Sequence, residues 1–225
     1  MATSTIRYTP IKGRILRVIQ LNECGVPVTG TSGGVVTVVG FTQVQSSAQY
    51  EDGEEYIVKN ADGGLCVNER DASILKRFEL TTTLCAVDPG MVPKVISPAR
   101  LLTASQAPTG TGFALAEGLS TAHYSLEVWQ RVTGSGACDV SGSQRYIYNA
   151  WPHLFDGKIG DYSIGNESSS LEFTSQSKAV SPLWTAGNPW LGTGAITIVP
   201  DHWFQNLTTV APPTEVTGVN DYVAP

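Results

Sequence analysis

Residues 75–86 constrain the fold more than any other part of the chain. Phe78, Leu80, Thr82 and Leu84 alternate with Arg77, Glu79, Thr81, Thr83 and Cys85. A period of two puts one set on each face of a half-buried strand. A helix would scatter both sets around its circumference, and three consecutive threonines are poor helix formers. The rest of the chain has the same texture. Its 23 glycines and 13 prolines interrupt it at short intervals, and the runs between them are rich in Val, Ile, Thr, Tyr and Phe. That is the pattern of a mainly β, antiparallel sandwich or barrel. At 225 residues the chain suits one large domain, here residues 1–203, followed by an extended C-terminal arm over 204–225 that contains Pro212-Pro213 and has no periodicity.

Strands are expected over 14–21, 35–39, 41–45, 112–116, 124–132, 144–148, 171–174 and 195–199, with 75–86 the longest. Residues 55–67 read as a β-hairpin closed by Asn60-Ala61-Asp62-Gly63-Gly64, because Asp-Gly tolerates positive φ. The polar stretch 46–55 and the turn-like stretch 22–34 are connections. One short helix packs alongside: Asp88 caps it, Pro89 suits its first turn, and Met91, Val92, Val95 and Ile96 follow at near-helical spacing. Pro93 and Pro98 keep it short, and a second helix over 98–104 is the weaker option.

Only 15% of residues are charged, and the net charge is −6. A surface so thinly charged suits a protein that hides much of itself in an assembly; a surface rich in Thr, Ser, Gln and Asn would explain it equally well. The acidic balance excludes a free-standing nucleic-acid binder, since the basic groups Lys12, Arg14 and Arg17, and separately Lys76 and Arg77, are too sparse for a phosphate groove. The polar start carries no secretory signal, and no apolar run approaches a membrane span, so synthesis and folding are expected in the cytoplasm. Cys24, Cys66, Cys85 and Cys138 have no CxxC spacing and are expected as buried thiols, with disulfides an option in oxidising surroundings.

Catalytic signatures are missing. His123, His153 and His202 fall on separate segments without metal spacing, and no GxSxG elbow is present. Gly30-Thr31-Ser32-Gly33-Gly34 lacks the Gly-Lys-Ser/Thr ending of a phosphate loop. Cys85 and His123 have nothing that places them together. The acidic cluster Glu51, Asp52, Glu54 and Glu55 matches no calcium loop and has no second element for glycoside hydrolysis, so a solvated face is the favoured reading. Trp151, Trp184, Trp190 and Trp203 gather in the last third, where core or interface packing outweighs a sugar platform. No cofactor site and no enzyme active site are expected.

Gly53-Glu54-Glu55, Lys59-Asn60, Cys66 and Cys85-Ala86-Val87-Asp88-Pro89, before a short helix, follow one another within residues 49–91. In that order they resemble the major tail tube proteins of long-tailed bacteriophages, above all those infecting actinobacteria, and the resemblance extends over residues 14–215. Ala150-Trp151-Pro152, Gly160-Asp161-Tyr162 and Asn188-Pro189-Trp190-Leu191-Gly192 look like the family's pre-terminal region, with Leu191 interrupting its Trp-Gly pair. The likeness implies a virion structural protein: a β sandwich or barrel with one helix, assembled into hexameric rings that stack into a hollow tube for DNA ejection. It also implies no cofactor and no catalytic residue. The partners it implies are further copies of the chain, a tape-measure protein, tail-tip or baseplate proteins and a tail terminator, with double-stranded DNA passing through unbound and no membrane contact. Within that frame Glu51, Asp52, Glu54 and Glu55 are candidates for the lumen, where acidic walls repel phosphate. Segments 22–34 and 204–225 are candidates for ring-to-ring contact, represented by Pro27, Thr31, Gly33, Pro212 and Tyr222. The other reading is a β-sandwich glycan-binding module on a virion surface.

Overall fold

A computed structural model describes residues 8–28, 34–102, 112–162, 170–179, 201–214 and 216–220, the last five as backbone only. In chain order its strands are β1 (Thr9–Leu21), β2 (Val35–Val38), β3 (Phe41–Glu51), β4 (Glu55–Lys59), β5 (Leu65–Arg70) and β6 (Ile74–Leu84), then β7 (Ala99–Leu102), β8 (Gly112–Leu115), β9 (His123–Thr133), β10 (Tyr146–Tyr162), β11 (Leu171–Ser177), β12 (Phe204–Thr208) and β13 (Val216–Asn220). The single α-helix among the described residues is α1 (Val92–Val95).

From Ile15 onward β1 is buried on both faces: Leu16 and Val18 join the main core, while Ile15 and Ile19 face two smaller clusters. A strand covered on both sides belongs in the middle of a sheet, and β1 lies between β2 and β9. β9 pairs in turn with β10, and β13 extends β2. A second set of strands, β10–β11–β6–β3, folds back over the first, all antiparallel.

β10 belongs to both. Tyr146–Ala150 pairs with β9 on one side and β12 on the other, whereas Leu154–Tyr162 pairs with β11. The change of partner occurs through register shifts after Trp151, after Phe155 and after Ile159. Asp156 sits at φ 55°, a left-handed conformation that Asp tolerates, and its carboxylate accepts from Lys158 at 2.6 Å. Such irregularities bend a strand and let it turn a corner between layers. The main core fills the space between the layers with Leu16, Val18, Leu80, Leu84, Leu126, Trp151, Leu154 and Phe173, closed at one side by Met91, Val92, Val95 and Ile96 of the helical turn.

The mainly β antiparallel class and the single short helix agree with the sequence reading, as do both faces of β6 and the hairpin, in which Gly63 takes φ 80° and Asn60 Oδ1 accepts from the Gly64 and Asp62 amides. Other expectations need correction. β6 is not the longest strand; β10 and β1 exceed it at 17 and 13 residues. The polar stretch from Ser46 to Glu51 is strand, held by pairing with β6 despite lacking apolar alternation. Residues 99–102 form β7, not a second helix, and Asp88 caps the turn ahead of α1 through Gly90 instead of capping α1 itself. Within 204–225, Phe204–Thr208 and Val216–Asn220 are paired into the sheet. All four cysteines are exposed, because Cys24, Cys85 and Cys138 sit in turns or loops and Cys66 sits on a strand with no covering layer. Residues 195–199, Thr31, Gly33, Tyr222, Trp184 and Trp190 lie outside the described residues.

Gly157 shows how closely the corner and the helix approach: a Cβ there would fall on the carbonyl oxygen of Val95. Gly157→Ala is therefore expected to destabilise by about 2 kcal/mol or more through backbone displacement. Urea unfolding of the variant measures this.

Candidate functional site

The most unusual feature of the surface is a projecting arm. β6 is tied to β11 only as far as Glu79, and beyond that point β3 and β6 run on as a two-stranded ribbon to Glu51 and Ile74. The ribbon continues through Gly53, whose missing Cβ gives the Asp71 carbonyl room, into the β4–β5 hairpin. Every residue of β4 and β5 is exposed, and the two strands pair only with each other. Directly opposed residues share a side, so the Val58–Val67 pair puts Tyr56, Val58 and Val67 on one side of the hairpin, while Leu65 pairs with Lys59 beyond a register shift. Tyr56, Val58 and Val67 are 38–53% exposed. A lone hairpin with uncovered apolar side chains is marginal in water.

β3 is also an open edge. It pairs with β6 and with no other described strand. Its 11 residues contain one charge, Glu51, and neither Lys nor Pro, the residues that usually blunt an edge. The outward face of this layer is carpeted mostly with uncharged polar groups: Gln45, Thr81 and Thr174 form one row that continues to Lys158, and Gln43 and Thr83 form another that ends in Glu172.

The expected acidic candidates sit where the ribbon becomes the hairpin, and all are exposed. Glu51 pairs with Lys76 at 3.0 Å and Asp52 with Arg70 at 3.1 Å, so half of the cluster is neutralised locally. Glu54 accepts from the Tyr56 hydroxyl at 2.9 Å, and Glu55 lies opposite Arg70. Pro27 bridges back to Leu21 beyond a turn in which Asn22 Oδ1 accepts from the Cys24 and Val26 amides. Pro212 lies toward the other end of β1, lining a groove with Arg14, Ile15, Val39 and Tyr146. Trp151 is in the core and stacks on half-exposed Trp203 with centroids 6.2 Å apart.

Sequence spacing gave no hint that His123 and His153 meet, or that His202 lies beside Phe78 at the arm's root. His123 opens β9, and its Nδ1 lies 2.9 Å from Nε2 of His153 on the β10 corner. His153 is 1% exposed, and its Nδ1 has no partner. Burial, then His123, then Lys178 lower its pKa to about 4. Burial also lowers His123, against the carboxylate of Glu23, and lowers His202, against Asp201. His202 Nδ1 and Ser177 Oγ are 2.7 Å apart, and the same hydroxyl oxygen accepts from the Phe78 amide at 2.7 Å. The only advance sign was the aromatic company of His153 and His202. Cys85 does not approach this cluster. Among the described residues no three His, Cys, Asp or Glu side chains are placed to hold a metal ion.

A second buried polar group lies farther along β9, on the face of the β1–β9–β10 layer turned away from the main core. Glu127 is fully buried, ion-paired with Arg17 directly across β1 and hydrogen-bonded by the Tyr148 hydroxyl. The Arg17 guanidinium lies 5.3 Å above the Trp129 ring. This arrangement is structural: each group satisfies another, and none faces a cleft.

No protein-family model matches the chain, and no curated protein matches it.

The buried pair predicts its own stability signature. Glu127→Gln leaves the Arg17 charge uncompensated and is expected to cost about 3 kcal/mol, whereas the apolar pair Arg17→Met/Glu127→Leu costs less than that single change. Denaturant unfolding of both variants decides it.

Proposed function

We propose that this chain is a structural subunit that assembles with copies of itself, and that the assembly is the hollow tail tube of a long-tailed bacteriophage, built from stacked rings. The observation that carries the reading is the arm: an exposed hairpin with an apolar side, rooted on an open, nearly uncharged edge strand. Neither feature suits a lone molecule, and both suit one whose neighbours complete it. The residues that carry the family resemblance, 49–91, are the arm, β6 and the turn into α1. Pro27 and Pro212, two of the ring-contact candidates, lie toward opposite ends of β1, which fits head-to-tail stacking.

A channel for DNA needs walls that do not hold phosphate. The Gln, Ser and Thr carpet of the β3–β6–β11 layer offers hydrogen-bonding groups without a basic stripe, and the carboxylates Glu51, Asp52, Glu54 and Glu55 border it. In this reading that layer faces the lumen and releases no counterions from passing DNA. The proposed place of the protein is the virion tail, after synthesis in the host cytoplasm. Its partners there are other copies, the tape-measure protein, the tail tip or baseplate, and the terminator. Catalysis plays no part in the proposal.

The glycan-binding reading has one point in its favour, a cleft of about 400 Å³ lined by Gln43, Gln130, Asn149 and Gln205 with Phe41 and Trp151. Those amides are engaged with each other, Gln205 donating to Asn149 at 3.0 Å, which leaves fewer for a sugar.

Electron microscopy of the purified full chain separates the two. Tubes or stacked rings are expected; a stable monomer retained on a glycan array would favour the cleft. Val58→Asp with Val67→Asp should abolish assembly with little change in unfolding midpoint, since the hairpin touches no core. Changing all four carboxylates Glu51, Asp52, Glu54 and Glu55 to Gln or Asn should leave tubes intact and impair DNA delivery; unchanged infectivity would remove them from the lumen.

A further inference from the structure

The apolar side of the hairpin carries a charge of its own. Glu69 pairs with Tyr56 and so shares the side of Tyr56, Val58 and Val67, whereas Glu55 and Arg70 share the other. Glu51 and Asp52 are neutralised within the arm by Lys76 and Arg70. The arm as a whole is still acidic: from Glu51 to Lys76, seven carboxylates stand against three basic side chains, a net −4. Such a surface calls for an apolar seat with a basic rim.

The other end of the same fold offers one. The arm leaves the body at Phe78, beside Ser177, which pairs with Leu154; Leu154 pairs with Tyr124, and Tyr124 with Gln20 near the end of β1. Near the start of β1 lies a groove of about 340 Å³ lined by Ile15, Val39, Tyr146 and Pro212. Arg14 lines it too, and Arg131 stands directly opposite Tyr146, on the same side of the sheet. Both arginines are exposed, and among the described residues neither is ion-paired. Within 8–15 and 130–147 the charged residues are Lys12, Arg14, Arg131 and Arg145 against Asp139, a net +3. The Asp139 carboxylate is engaged in its own turn, where it accepts from the Ser141 and Ser143 amides at 2.9 and 2.8 Å. That turn holds Val140 fully exposed at the same end. An apolar tip already ordered gives up little freedom when it is covered.

We propose that this basic-rimmed groove receives the arm of a second copy: Tyr56, Val58 and Val67 seat against the groove, and Glu69 meets Arg14 and Arg131. Arm and groove are unlike surfaces toward opposite ends of β1. Each copy therefore gives one arm and accepts another, and contacts of that kind propagate instead of closing in a pair. The inference rests on the assembly reading and names the surface that the arm meets. Opposite charge on the two surfaces sets the direction, since an arm is repelled by a second arm and drawn to the basic end.

Photocross-linking in the full chain tests it, with p-benzoylphenylalanine in place of Val58 and the linked peptides located by mass spectrometry. A mixture of copies carrying light and heavy nitrogen separates links between molecules from links within one. Links are expected to residues 11–15, 131–146 or 211–214 of another copy. Arg14→Glu with Arg131→Glu, both at exposed sites, should leave the unfolding midpoint unchanged and lower the yield of those links about tenfold. Adding Glu69→Arg to that pair should restore most of the yield. Links from position 58 to the arm or to the β3 edge of another copy, or a double variant that links as well as its parent, would overturn this contact and leave assembly standing. A parent chain that stays monomeric and gives no intermolecular link would instead remove the assembly reading, and the contact with it.

Discussion

One strand cannot lie in two layers unless its backbone breaks register, and β10 does so three times within 17 residues. The rest of the architecture depends on that. Its first half carries the β9 and β12 pairings, its second half carries β11, and through β11 it carries β6 and β3. The bend brings Leu154 and Trp151 into the core between the layers and sets Gly157 against the helix carbonyl of Val95. It also fixes where the second layer ends. β11 stops at Ser177, four residues short of matching the length of β6, so β6 and its partner β3 overrun the body and become the arm.

The polar groups buried around this corner differ in kind. Glu127, Arg17 and Tyr148 satisfy one another, and such a network favours a single arrangement of β1, β9 and β10. His123 and His153 are also mutually bonded, but His153 keeps an unpartnered nitrogen in the interior. That nitrogen is tolerable while neutral and costly once protonated. The histidine pair joins the start of β9 to the corner of β10.

The elements legible in the sequence were those in which burial imposed a period or a turn imposed a residue type. β6 alternates because Leu80, Thr82 and Leu84 face the core, and the hairpin turn needs Gly63 at positive φ. The second half of β3 escaped because both faces are exposed from Gln45 to Ser47, so the apolar period ends there. β10 beyond Tyr148 escaped for the opposite reason. It is buried without alternation from Ile147 to Leu154, and its irregular registers shift side chains between faces. The cysteines were placed wrongly because a residue-type average for burial ignored that three of them fall in turns or loops. The acidic residues were legible as a surface group, but Lys76 and Arg70 as their partners were not, since that pairing depends on strand register. The histidine pair joins residues 30 positions apart along the chain, a distance that no spacing rule covers.

The way a surface can be completed constrains the kind of assembly. A symmetric dimer uses the same patch on both partners, and an open edge such as β3 could in principle pair with itself across a twofold axis. The arm argues against that closure. It extends β3 and β6 outward at one end, while the groove at Pro212 lies toward the other end of the body. Copies joined by unlike surfaces do not close after two molecules; they form rings if the rotation closes and stacks or filaments if it does not. A hairpin of five-residue strands reaches about 17 Å beyond the ribbon, so in the proposed assembly it is the part that would meet another copy. The nearly uncharged edge of β3 would be shared there, and the Gln-, Ser- and Thr-rich face would remain in contact with solvent.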